Sequence, residues 1–267
     1  MSDNVRLPSL STFPRLLMHH AQVRPNHPAT REKDMGIWQT WDWSQVAEEV
    51  RAMASGLAEL GFKRGDNLAI IGDNRPRLYW AMYVAQCLGG VPVPLYQDAV
   101  AAEMVFVLQD AGIKFAIVED QEQVDKLLEN RAQCPELAHI LYDDPRGLRH
   151  YNQSFLHGLD EVQEMGRIHN RNHPEFLDGE IEQGRQDDVA VMLYTSGTTG
   201  KPKGVCQTHG AFIAAAQSGC EFDKLGPDDN ILSYLPMAWV GDHLFSFAQA
   251  TYAGFTGGAG SGAGEPD

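Results

Sequence analysis

"VMLYTSGTTGKPKGV", Val191 to Val205, sets an apolar run against a loop of hydroxyls, glycines and two lysines. The run Val189 to Tyr194 has the length and residue types of a buried strand, and polarity switches at Thr195. The loop after it has the composition of an anion site. Gly197, Gly200 and Gly204 permit positive φ and close backbone approach, so successive N–H groups can turn toward one anion. Thr195, Ser196, Thr198 and Thr199 add hydroxyl donors, and Lys201 and Lys203 are the only Lys or Arg between Gln186 and Asp223. Pro202 fixes φ between the lysines while the glycines leave the loop able to close, which predicts a mobile phosphate clamp. It is not a Walker-A loop: Lys201 is followed by Pro202, and Thr195 stands where the first glycine belongs.

Beyond the loop, the chain limits its own partners. Its 267 residues carry 21 Lys plus Arg against 36 Asp plus Glu, a formal charge of −15, which argues against a polynucleotide partner and makes two isolated lysines a local positive site. Cys87, Cys134, Cys206 and Cys220 form no C-x-x-C pair and no Cys/His zinc spacing, as expected in a reducing cytosol. Met1 to Pro14 lacks an apolar secretory core and no stretch has the length of a membrane span, so the expected location is cytoplasmic, with peripheral membrane contact as the alternative.

Around the loop the pattern is α/β. Val46, Val50, Met53, Leu57 and Leu60 recur at helical steps through Asp42 to Leu60, with Asp42 and Gln45 as a capping pair and Gly61 as a stop. Strand-like runs at Asn67–Ile71, Val91–Tyr96, Lys114–Val118 and His139–Tyr142 then alternate with helix-like runs at Leu78–Leu88, Ala101–Ala111 and Gln121–Arg131. That alternation predicts βαβ units and a mostly parallel sheet flanked by helices. Residues 143–188 are polar, hint at one helix over Phe155–Met165, and read as a connection or subdomain boundary. Strand Val189–Tyr194, the loop, helix His209–Cys220, strand Asn230–Leu235 and a helix from about Asp242 to Tyr252 complete residues 1–255, while the glycine-rich residues 256–267 read as a flexible tail.

Tyr194 to Gly204 resembles the signature [YF]-T-S-G-[ST]-T-G-x-P-K-G of the adenylate-forming enzymes, the superfamily of acyl-CoA synthetases, luciferases and peptide-synthetase adenylation domains. "TWDWSQVAEEVRAMASGLAELGFKRGDNLAI" and "QCLGGVPVPLYQDAVAAEMVFVLQDAGIKFAIVED" are similar to further stretches of that superfamily. "ILSYLPMAWVGDHLFSF" looks like its Leu-Pro-Leu-x-His segment in wording closest to long-chain acyl-CoA synthetases, with Trp239 where His is common and Asp242 where Glu is common.

The resemblance implies an incomplete N-terminal large domain of an adenylate-forming enzyme. It implies a two-step reaction in which a carboxylic acid, here a long-chain fatty acid, attacks ATP to give an acyl-adenylate, and coenzyme A then displaces AMP, with Mg²⁺ sharing the phosphate charge. Thr195, Ser196, Gly197, Thr198, Thr199, Gly200, Lys201, Lys203 and Gly204 are thereby assigned to the ATP phosphates, with Lys203 as the catalytic residue. Trp239 and His209 are assigned to the acyl side of the site. No metal ligand is assigned. The aromatic-Gly-x-Thr-Glu segment, the Thr-Gly-Asp, the hinge and the late lysine that the resemblance leads one to seek are not found between Tyr252 and Asp267. The expectation is therefore a portion of a longer synthetase that does not complete the reaction alone. The alternative is a non-catalytic nucleotide- or acyl-binding module.

Other motifs carry less. No H-E-x-x-H or G-x-S-x-G occurs; His19 and His20 are expected at the surface or in capping roles, and Asp73 and Asn74 as loop caps at a strand end.

Overall fold

The computed structural model describes residues 10–195 and 202–259. The chain opens with α1 (Phe13–Val23), a hairpin of β1 (Pro28–Asp34) and β2 (Ile37–Asp42), and α2 (Trp43–Glu59). Met35 and Gly36 both have positive φ, the requirement of a two-residue primed turn. α2 begins as the sequence predicts: Asp42 Oδ1 accepts from Gln45 N at 2.8 Å and Gln45 Oε1 from Asp42 N at 2.9 Å. It stops before Gly61, at φ +98°.

The predicted βαβ alternation is present as β3 (Asn67–Ile71), α3 (Pro76–Cys87), β4 (Val91–Leu95), α4 (Ala101–Asp110), β5 (Phe115–Val118), α5 (Gln121–Asn130), β6 (His139–Tyr142) and β7 (Leu156–Gly158). The strands make a five-stranded parallel sheet in the order β4-β3-β5-β6-β7. Strand alternation divides its side chains between two cores. Leu68, Ile70, Phe115, Ile117 and Leu141 face α2 and α3, whereas Ala69, Ile71, Ala116, Val118 and Ile140 pack with Met104, Leu108, Val124 and Leu127 of α4 and α5.

Residues 143–188 hold more regular structure than their polarity indicates, namely β7, α6 (Leu159–Asn172) and α7 (Phe176–Gln183). α6 crosses α2 on glycine: a Cβ at Gly166 would stand 1.7 Å from Ala52 O, and one at Gly56 2.0 Å from Val162 O. Polar links flank the crossing, with Ser55 Oγ donating to Asn170 Oδ1 at 2.6 Å and Arg167 pairing with Glu49 at 2.8 Å.

Next come β8 (Val189–Thr195), β9 (Lys203–Thr208), α8 (His209–Asp223), β10 (Asn230–Ser233), α9 (Val240–Asp242), a π-helical stretch His243–Ala248, α10 (Gln249–Ala253) and β11 (Thr256–Ala259). The sequence reading led from strand through loop directly into helix; instead β9 intervenes, antiparallel to β8. The flexible tail predicted for 256–267 is corrected at its start, because Thr256–Ala259 is the strand between β10 and β1 in the four-stranded sheet β10-β11-β1-β2. Pairing on both sides orders that backbone without needing side chains, which is how glycines reach the middle of a sheet. The rest of that run, 260–267, lies outside the described residues.

Arg75 joins the two sheets, reaching Glu32 of β1 and, at 2.9 Å through Nε, Glu119 at the end of β5. No helix among the described residues is long and apolar enough to cross a membrane.

Candidate functional site

The loop is carried by a two-stranded hairpin. β8 and β9 pair Leu193 with Val205, Tyr194 with Gly204, and Thr195 with Lys203, so Thr195 and Lys203 form the rung from which the loop springs. Residues directly opposite in an antiparallel pair present their side chains to one face, and neighbouring rungs alternate faces. Thr195 and Lys203 therefore share a face, both exposed, and Tyr194 and Gly204 share the other. Ser196, Gly197, Thr198, Thr199, Gly200 and Lys201 lie outside the described residues.

Gly204 was expected to permit positive φ. It lies instead in extended β9, and its missing side chain admits the Tyr194 ring and Met192: a Cβ there would stand 3.1 Å from Tyr194 Cζ and 3.1 Å from Met192 Sδ. Burial, reinforced by a hydrogen bond to Asp110, pushes the Tyr194 hydroxyl above its usual pKa, so it remains a donor; Asp110 Oδ2 accepts at 2.7 Å.

The hairpin's other end is fixed by backbone and caps. Gln86 Nε2 donates to Ala190 O at 2.8 Å, and Thr208 Oγ1 caps α8 by accepting from Ala211 N at 3.2 Å. His209 sits at the first turn of α8, buried, with Nδ1 accepting from Phe13 N at 3.3 Å and its ring 5.5 Å from that of Phe13. That bond makes Nδ1 the unprotonated nitrogen, and burial lowers the pKa to about 4. His209 is thus a neutral imidazole joining α8 to α1, and it lines a cavity of about 390 Å³ with Thr12, Arg64, Gln86 and Asp188.

Trp239 stands elsewhere, at the N-cap of α9 and 48% exposed, so it is no buried packing residue. Tyr234, Val240 and Phe245 are exposed with it.

Behind this stretch lies a buried cluster that sequence reasoning missed. The Asp242 carboxyl accepts from Tyr79 Oη at 2.9 Å and from Asn74 Nδ2 at 3.2 Å, while Asn74 Nδ2 also reaches Leu235 O at 2.9 Å. Burial raises the Asp242 pKa to about 6 against hydrogen bonds from Ser246, Tyr79 and Asn74. Asn74 was expected as a local loop cap; it ties the end of β3 to the segment 235–242 instead. Its strand-end position was legible, but a partner at 168 residues' remove was not.

Of the histidines, His20 is buried rather than at the surface, with Nε2 2.7 Å from Thr251 O and burial lowering its pKa to about 4. Among the described residues no group of three or more His, Cys, Asp or Glu could hold a metal ion. The four cysteines are free, and only Cys206, on β9, is exposed.

The chain is similar to known proteins in sequence and in fold. The family model of the AMP-binding enzymes matches residues 17–265. The long-chain-fatty-acid–CoA ligase ACSBG2 of Mus musculus is 30% identical over 238 residues, covering 87% of this chain and 35% of the relative. ACSBG1 of Homo sapiens is 27% identical, covering 78% and 29%. The chain thus spans about a third of the length of these curated relatives. Among solved structures, the anthranilate CoA ligase AuaEII in complex with anthranoyl-AMP superimposes with a TM-score of 0.81 at 20% identity, covering 94% of this chain and 45% of that one. The inhibitor-bound N-terminal domain of FACL13 from Mycobacterium tuberculosis gives 0.71 at 27% identity, covering 93% and 56%.

Proposed function

Because the chain belongs to the AMP-binding enzyme family, we propose that the β8–β9 hairpin holds the β- and γ-phosphates of ATP for a carboxylate-activating acid–thiol ligase. The acid is a long-chain fatty acid and the thiol is coenzyme A. In the first step a carboxylate oxygen attacks the α-phosphorus and pyrophosphate leaves; in the second the thiol displaces AMP from the acyl carbon. Negative charge gathers on the departing pyrophosphate. Hydroxyls, loop N–H groups and Lys203 Nζ are proposed to stabilise that charge.

The observation that carries this reading is the rung Thr195–Lys203, which sets a hydroxyl and an ammonium on one face at the base of a complete eleven-residue signature. Ser196, Gly197, Thr198, Thr199, Gly200 and Lys201 are proposed to complete the clamp, with Gly204 keeping Tyr194 in place beneath it. Mg²⁺, where it accompanies the nucleotide, would share the negative charge of the phosphates.

For the acyl chain, the exposed Trp239 with Val240 and Phe245 supplies an apolar wall, and the long-chain relatives support a fatty substrate. His209, lining its own cavity with Thr12 and Gln86, is proposed to serve the acyl side as a neutral group rather than to carry charge.

Carboxylate-dependent exchange of labelled pyrophosphate into ATP tests the reading on the 267-residue chain. Exchange stimulated by long-chain acids supports a complete activating unit. Pyrophosphate binding without exchange makes this chain a binding module, and absence of both overturns the clamp.

A further inference from the structure

We infer that Asp110 is a positioning residue for the phosphate loop, acting through Tyr194. The inference rests on the reading of β8–β9 as a phosphate clamp and concerns what holds its arms still.

Among the described residues β8 and β9 are hydrogen-bonded as strands only to each other; β8 lies beside β4 and buries Ala190, Val191 and Leu193 in the main core, whereas Lys203–Cys206 of β9 are exposed and have β8 as their one strand partner. The links through Gln86 and Thr208 lie at the end away from the loop. One rung from the Thr195–Lys203 pair, beyond the buried Leu193, Tyr194 ties the loop end of the hairpin to α4. Its ring packs with Met192 against the core containing Val107, Leu108 and Ala111, and its hydroxyl donates to Asp110 Oδ2 at 2.7 Å.

Asp110 is the last residue of α4, where an acidic side chain opposes the helix dipole. A local rule broken in this way points to a compensating contact, and the Tyr194 hydroxyl supplies it. The same ring lies across Gly204, whose lack of a Cβ lets β9 pass within contact of it. One aromatic side chain therefore grips both arms of the hairpin: β8 through its own backbone, β9 through the space left at Gly204. The anchor is α4, and through Tyr194 it fixes the rung Thr195–Lys203 next to it.

The variants are Asp110→Ala, Tyr194→Phe, their double, and Asp110→Asn, which keeps an acceptor oxygen. They are read by titration with magnesium pyrophosphate, by amide hydrogen exchange across 189–208, and by thermal melting. Each single break is expected to weaken pyrophosphate binding about 3- to 10-fold, as for loss of one partly exposed hydrogen bond to a charged acceptor. The double variant should be no weaker than either single, since both remove one link. Asp110→Asn should recover most of the loss. Exchange should quicken by a similar factor, about 3- to 10-fold, in the β8–β9 amides alone, with melting unchanged.

Additive losses in the double variant, or unchanged hairpin exchange in both singles, overturn the inference. If the wild-type chain binds no pyrophosphate, the phosphate reading fails by itself. Hydrogen exchange then decides the positioning claim: faster hairpin exchange upholds the Asp110–Tyr194 anchor, and unchanged exchange removes it.

Discussion

Replacing His243 by Phe should make the fold resist acid, by an amount the structure sets. His243 is 1% exposed, neither ring nitrogen has a hydrogen-bond partner among the described residues, and the rings of Phe212 and Phe247 lie 4.9 Å away. Burial, with a smaller contribution from His209, lowers its pKa from 6.5 to about 3. A base depressed on folding contributes stability that is fully present above its unfolded pKa and is lost as pH falls toward the folded one. Between pH 7 and pH 5 that single group removes about 2 kcal/mol. His20 and His209, each lowered to about 4, steepen the same slope in both proteins, so the difference between wild type and variant isolates His243. Phe has no nitrogens to satisfy but is bulkier than His, so at pH 7 the gain from removing them is offset by tighter packing and the variant should lie within about 1–2 kcal/mol of wild type. Urea unfolding at pH 7 and pH 5 reads both quantities. The variant is expected to lose about 2 kcal/mol less than wild type on acidification. Equal losses would refute a neutral, unpartnered imidazole at this position.

Three further outcomes concern other parts of the molecule. Gly166→Ala would place a Cβ 1.7 Å from Ala52 O, forcing α6 off α2; after a gain of about 1 kcal/mol in helix propensity the net cost should be about 2 kcal/mol or more by urea unfolding, and a change under about 0.5 kcal/mol would show that the crossing relaxes freely. Tyr79→Phe removes the donor at 2.9 Å from Asp242 and should cost about 1–3 kcal/mol at pH 7.5. That cost should shrink at pH 5, because the Asp242 carboxyl, with its pKa raised to about 6, is then protonated and gains less from the phenol; a cost that grows on acidification would contradict the assignment. In native protein an alkylating reagent should label Cys206 first and leave Cys87, Cys134 and Cys220 protected, with burial holding the Cys87 thiol up to about 12; mass spectrometry showing Cys87 labelled as fast would contradict the burial pattern.

The parts of the fold legible in sequence are those where one residue type reports one environment. β3, β4, β5 and β6 are short apolar runs buried on both faces, and α2 carries an apolar stripe with a capping box, so periodicity and caps were enough. α6 was legible only in its first half, as the helix hinted at over Phe155–Met165, because beyond it the contact with α2 runs through glycine and polar side chains, and hydropathy is blind to close backbone approach. β9 escaped because Lys203–Val205 is exposed and β11 because its glycines are ordered by backbone pairing with two neighbours. At the site, the signature named the loop and its lysine, but the supports were invisible. Asp110 and Tyr194 are 84 residues apart, and Asn74 and Asp242 are 168 apart. Their pairing is a product of topology, not of spacing.

Calorimetric titration of the chain with magnesium pyrophosphate and with orthophosphate tests most directly whether the β8–β9 hairpin clamps adjoining phosphates. Pyrophosphate should bind, orthophosphate should bind far more weakly, and Lys203→Ala should weaken pyrophosphate by about 10-fold or more, the loss of one charge-assisted contact. Equal affinity for the two anions, or a Lys203→Ala variant that binds pyrophosphate as the wild type does, would contradict the clamp.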